Sequence, residues 1–518
     1  MKYLKSVWIC SFLTFCLSLS ACGSGGDSEK GDGGDQGGDG GLLADGGSDS
    51  DTDSDGDSDL PLVSGLEMTA IDAYQSIRLP IMANGAKATD PWPVPLLLGK
   101  DAMVRVYVKF KDTNWQPRKV KMVLDLTSGN KKVGSVSSES MVQYESTDTN
   151  LSTTPYVSIP GDKVVKDLQM KVSLYEIDKN AKGTDTSGSV WPKDGLYPLP
   201  AEDTGGPLEI IIIPVRYNAD GSGRLPDTSD TQLETIKNAF FGEYAVYDIK
   251  ITVADPLDYS TKITAMGGGW SQLLTKVQGM RTSIGATDKQ YLYALFCPTD
   301  TFQQFCTAGC VAGLSNLAAQ PSDAWARESV GIGWTGGQTA TTMVHEVGHT
   351  HGREHAPCGL GGQPSDPKFP YAGASIGVWG YDLVLKKMKG PTSTKDFMSY
   401  CTPTWVSDYT YNALHARNVA VNALKYDVPP PYLLKPWLSI SMDMDGSMRP
   451  GPEFSLPAEP GGQASRVEFL DPFGNVLGFS DAIFNPYSSI SGGLILFPKP
   501  SFEIYSVRIP GFAPVVVP

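Results

Sequence analysis

His345-Glu346-Val347-Gly348-His349-Thr350-His351-Gly352-Arg353-Glu354-His355 is the stretch on which the reading of this chain turns. Its first five residues are HExxH, which sets two imidazoles four residues apart. On an α-helix those positions share a face, so His345 and His349 can reach one ion together. Glu346 follows the first of them, where its carboxylate can address a water beside that ion. Gly352 permits a sharp backbone turn that a residue with a Cβ resists, and His355 can then fold back as a third nitrogen ligand. Three protein ligands with one position left open is the arrangement of a catalytic zinc site, not a structural one. The chain holds only five histidines, His345, His349, His351, His355 and His415. At such a frequency HExxH arises by chance on the order of 0.002 times per chain, and the elongated motif far less often. His351 fits no ligand spacing and reads as a supporting or solvent-facing ring. His415 falls in a later helical stretch and reads as an ordinary helix residue. The stretch points to a zinc hydrolase holding one catalytic Zn2+.

Downstream, Asp396-Phe397-Met398-Ser399-Tyr400-Cys401 follows the third histidine. HExxHxxGxxH together with a later methionine turn resembles the metzincin clan of zinc endopeptidases. The resemblance implies His345, His349 and His355 as metal ligands, Glu346 as general base, Gly352 as the hinge and Met398 as the turn methionine beneath the metal. Tyr400 matches the tyrosine that astacin-like and serralysin-like members place near zinc, as a fifth ligand or as a donor to the developing oxyanion; a buried core tyrosine is the alternative. Ala356, directly after the third histidine, departs from the best-known subfamilies. Trp405-Val406-Ser407-Asp408-Tyr409-Thr410-Tyr411 resembles the bacterial group that includes secreted mucin-cleaving metalloproteases. Because the metzincin layout brings Cys358 and Cys401 under the zinc, it implies a disulfide between them.

The chain opens on a leader, residues 1–21, with Lys2 and Lys5 before an apolar run too short to span a membrane comfortably. Leu19-Ser20-Ala21-Cys22 resembles a bacterial lipobox, which makes Cys22 the lipidation site and the membrane anchor. An exported lipoprotein on the outer membrane or cell surface is the expectation. Residues 22–60 are Gly, Asp and Ser with almost no apolar content, so they read as a flexible tether that cannot bury enough surface to order itself. They hold eleven Asp and one Glu against one Lys, and so carry −11 of the formal net charge of −15. Residues 61–518 are left only mildly acidic, and no basic patch argues for nucleic acid. Asp51-Thr52-Asp53-Ser54-Asp55-Gly56 imitates the start of a calcium loop, but the twelfth position is Leu62 instead of a bidentate Glu, and linker is the better reading.

What remains is long enough for roughly three domains, a multidomain α+β chain. Residues 61–204 alternate in the manner of strands, at Ala102–Phe110, Val120–Leu126 and Leu168–Tyr175, which suggests a β-sandwich. Residues 205–428 alternate strands and helices: Leu208–Val215, Asp230–Phe241, Ile249–Val253, Trp270–Ile284, Tyr291–Phe296, Val330–Trp334 and the site helix Thr339–His351. This predicts an α/β catalytic domain on a mostly parallel sheet. Val311–Leu317 is the expected edge strand for pairing with extended substrate, and Gly377–Asp382 with the segment up to Met398 the expected wall of a side-chain pocket. Ser407-Asp408 starts a last helix to Leu424. Pro429-Pro430-Pro431 then opens residues 429–518, a small accessory β-domain. Among Cys297, Cys306 and Cys310 one pair and one free thiol are expected, with the choice open.

Taken together, the sequence predicts a monomeric zinc-dependent endopeptidase acting on an extended polypeptide or glycoprotein. An inactive adhesin or glycan-binding lipoprotein on a protease-like fold is one alternative, and a zinc amidase or deacetylase a second.

Overall fold

The computed structural model describes residues 60–181 and 183–517. The leader, Cys22, the calcium-like run and nearly all of the tether lie outside the described residues. Among the described residues, no helix is long and apolar enough to cross a membrane.

The N-terminal third is built from two antiparallel sheets. One contains Leu66–Ala83, Ala102–Phe110 and Tyr156–Ile159; the other contains Leu168–Glu176, Arg118–Ser128 and Lys131–Val142. Period-2 alternation sends Ile71, Val104 and Val106 of the first sheet and Val120, Leu124 and Val172 of the second into one hydrophobic cluster. The first sheet also recruits the hairpin Gly380–Asp382 and Lys387–Lys389, with Ser76 opposite Tyr381 and Ile77 opposite Gly380. Gly380–Asp382, expected beside the substrate, therefore serves as a sheet strand. Trp405 fastens the same junction, its Nε1 donating to Ser76 O at 2.9 Å.

The middle of the chain is organised on a sheet in the order Ile249–Val253, Leu208–Tyr217, Tyr291–Phe296, Glu328–Ile332, Gly313–Ser315. The first four run parallel and the last is antiparallel. Tyr291–Phe296 is buried at every position, as a central strand covered on both faces must be. Helix Asp230–Glu243 is capped by Ser229, whose side chain accepts from Gln232 N, and it buries Ile236 and Phe240. At its other end Lys100, fully buried, donates to the carbonyls of Phe241 and Tyr244, both at 2.7 Å. Burial lowers this amine to about 7, and its hydrogens go to carbonyls that the helix itself leaves free at its C-terminus. The second helix ends at Gln278, before Gly279, and not at Ile284.

The C-terminal residues form an eight-stranded antiparallel sheet. Strand Gly493–Pro498 shows how it is used. Ile495 and Phe497 point into the sheet's own core with Val467, Phe469 and Val507, whereas Leu494 and Leu496 pack against Ala318 and Trp325 of the middle segment. That second face is what brings the turn between Pro486 and Gly493 to the site.

Candidate metal centre

Helix Gly337–Thr350 carries the first two ligand residues and buries Ala340, Met343, Val344 and Val347 on its inner side. It stops because Gly352 takes φ +80°, a left-handed conformation natural to glycine at a helix end, with its N–H donating to His349 O at 2.8 Å. The chain then doubles back and delivers His355. His345, His349 and His355 are all buried, and each offers a ring nitrogen within 4.8 Å of the other two.

The tautomers follow from what each ring touches on its outer side. His345 Nδ1 lies 2.8 Å from Phe397 O, and His349 Nδ1 lies 2.6 Å from Arg353 O. His355 also has a backbone partner, at Pro364, which as a proline has only a carbonyl to offer. A carbonyl only accepts, so these Nδ1 atoms carry the hydrogens and Nε2 keeps its lone pair. His345 Nε2 and His349 Nε2 then face each other at 3.1 Å as two acceptors. Burial holds the rings neutral, lowering His345 to about 4 and His355 to about 3 and keeping His349 well below the ordinary histidine value. Three neutral nitrogens aimed at one point, with no hydrogen between them, suit a cation. A neutral all-imidazole set is a zinc donor set, and the carbonyls behind it are the outer support such ligands use.

The floor and the third-ligand loop are held together locally. A Cβ on Gly348 would overlap the Met398 sulfur, so the glycine inside HExxH makes room for the methionine. Ala356 N donates to Met398 O and Tyr400 N to Cys358 O, each at 3.0 Å. The disulfide Cys358–Cys401 closes the same pairing. Asp396 turns the chain there: Oδ1 accepts from Met398 N at 2.9 Å and Oδ2 from Ser407 N at 3.0 Å. Tyr400 brings its hydroxyl 3.0 Å from His355 Nε2 and 3.3 Å from Gln363 Oε1. Its side chain is 43% exposed, so it is not a core tyrosine. Among the described residues the other cysteines resolve as a Cys306–Cys310 disulfide and a buried free Cys297. His351 is no ligand: it is buried, stacked on Tyr291, with Nε2 3.0 Å from Asn418 Oδ1.

Glu346 occupies the other side of the site and is only 2% exposed. Ser315 donates to its Oε2 at 2.6 Å and Ser488 to the same oxygen at 3.2 Å. Gly313 is also fitted to it, because a Cβ there would overlap the Glu346 carboxylate. Burial pushes the carboxyl up to about 7, against the two serine bonds that pull it down. Ser488 is the residue that sequence reasoning missed. It also donates its backbone N–H to Ser315 O at 3.0 Å and accepts from Ser315 N through its hydroxyl at 3.0 Å. The edge strand is thus shorter than expected, Gly313–Ser315, and its outward groups at Ser315 are taken by the C-terminal segment. Ser489 O, next in line, accepts from Gln363 Nε2 at 3.0 Å. No local pattern marks Ser488, which lies 142 residues from Glu346.

Of these groups His345, Glu346, Gly313, Tyr400, Gln363 and Ser489 line one open cavity of about 810 Å³. The sequence model of the family described as Peptidase M66 matches residues 318–413, which include the three histidines, Glu346, Met398 and Tyr400. The match and the triad support a zinc metalloprotease. No curated protein matches the chain.

Proposed function

We propose that this chain is a metzincin-like zinc endopeptidase that cleaves extended polypeptides or glycoproteins outside the cell, anchored through Cys22. The observation that carries the reading is the convergence of three neutral, carbonyl-backed imidazoles beside a buried, serine-held carboxyl in an open cavity. His345, His349 and His355 would hold the ion, and zinc there supplies Lewis acidity that acidifies water and polarises a carbonyl.

The chain's own groups do the rest. Glu346 takes a proton from the attacking water and hands it to the departing amine nitrogen, which is the work of a general base turned acid. Ser315 and Ser488 fix which carboxylate oxygen faces away from the reaction, leaving Oε1 to meet the water. The Tyr400 phenol is neutral at neutral pH with or without the upward shift its surroundings give it, and it can donate to the carbonyl oxygen as charge develops there. Glu346→Gln keeps the shape and removes the base. Zinc content should stay at the wild-type level while peptide turnover falls by roughly 10²–10⁴-fold, the usual worth of a positioned acid–base group. A variant that keeps its turnover contradicts this role. For the anchor, Cys22→Ala should move the protein from the membrane fraction to the soluble one with its specific activity unchanged; membrane retention would count against lipidation at Cys22.

A further inference from the structure

At one end of the cavity lies a group that the proposed chemistry does not use. Glu243 closes helix Asp230–Glu243, is 6% exposed, and lines the cavity together with Gln338, Thr341 and Thr342 of the site helix and Thr402 and Thr404 beyond the methionine turn. Positions 338, 341, 342 and 345 share a helix face, so this pocket adjoins His345. Glu243 Oε2 is buried and has no hydrogen-bond partner.

The charged groups around it are Lys389, Asp396 and Asp382. Lys389 is already paired with Asp382 at 3.3 Å. Asp396 spends both oxygens on Met398 N, Ser407 N and the Ser407 hydroxyl. Glu243 is therefore the acid without a counterpart, and burial drives it up to about 8. A buried carboxyl oxygen without a partner is costly. Around it, threonine hydroxyls and a glutamine carboxamide line the wall, and no cation does.

We propose that Glu243 anchors a side-chain subsite, adjoining His345, for a Lys or Arg side chain of the polypeptide substrate. The inference rests on the peptidase reading and adds to it a substrate class. A guanidinium or ammonium supplies the missing charge and donors at once, and a charge-assisted pair shielded from water is the strong kind. The surrounding threonine oxygens can accept the cation's remaining hydrogens.

The test is cleavage of a peptide library by the zinc-loaded wild type and by Glu243→Gln. The wild type should favour Lys or Arg over norleucine at one position beside the cut by about tenfold in kcat/KM, the worth of one hydrogen bond to a charged group. Glu243→Gln should lose that preference and still cut the norleucine peptide at the wild-type rate. Cleavage without a basic preference, or a preference that survives Glu243→Gln, overturns the subsite and leaves the peptidase reading standing. A library left uncut fails the peptidase reading instead. Calorimetric titration with n-butylguanidinium then still decides the pocket: binding to the wild type and not to Glu243→Gln supports it, and equal or absent binding overturns it. Equal thermal midpoints for the two proteins at pH 5 show that the variant is folded.

Discussion

The two sides of the site are assembled in different ways. The metal side is local: from His345 to Cys401 the chain supplies the ligands, the hinge, the methionine floor, the Phe397 and Arg353 carbonyls and the disulfide. The base side is assembled from afar, because Glu346 leans on Ser315, 31 residues upstream, and on Ser488, 142 residues downstream. One side can be disturbed without the other. Binding the metal and running the reaction should be separable by mutation, since they depend on different parts of the chain.

Replacing Cys358 and Cys401 by serine attacks the metal side. It releases the loop that carries His355 from the Met398 segment, and outer-shell losses of this kind cost about 10–100-fold in metal affinity. Competition with a zinc chelator measures it, and turnover at saturating zinc should be much less affected than affinity.

Ser488→Ala attacks the base side. Glu346 keeps its shorter bond from Ser315 and loses the longer one, so a loss of about tenfold in kcat/KM is expected, the low end for a hydrogen bond to a charged group. Zinc content should not change. If the serine variant loses zinc and the disulfide variant does not, the two sides are wrongly drawn.

This division also marks what could be read in advance. HExxH, Gly352, His355, Met398 and Tyr400 lie in one continuous stretch from residue 345 to residue 400, and the parallel strands announced themselves by apolar runs such as Leu208–Val215. The last helix was legible from Ser407, whose hydroxyl accepts from Thr410 N at 3.1 Å. Ser488, Lys100 and Glu243 were not legible, because each owes its position to tertiary packing: the outward face of strand Gly493–Pro498, the end of helix 230–243, the wall of a cavity. Gly380–Asp382 misled for the same reason. Its short run looks like a pocket loop until Leu66–Ala83 pairs with it.

The smallest effect concerns stability. Glu243 has its folded value raised above the ordinary carboxylate range to about 8. The folded protein therefore binds this proton more tightly than the unfolded chain, and the contribution is complete below about pH 4.5 and lost as pH rises toward 8. Glu243→Gln has no such proton to lose. Its thermal midpoint relative to the wild type should therefore rise from pH 5 to pH 8, by several degrees. A difference that is constant with pH contradicts a buried, titrating Glu243.

The central claim is that His345, His349 and His355 form the metal centre, and X-ray absorption at the zinc edge of the purified protein tests it most directly. The account predicts one zinc per chain with a first shell of three imidazole nitrogens and further light atoms, lost together on His355→Ala. Zinc bound through sulfur, or a spectrum unchanged by His355→Ala, would contradict it.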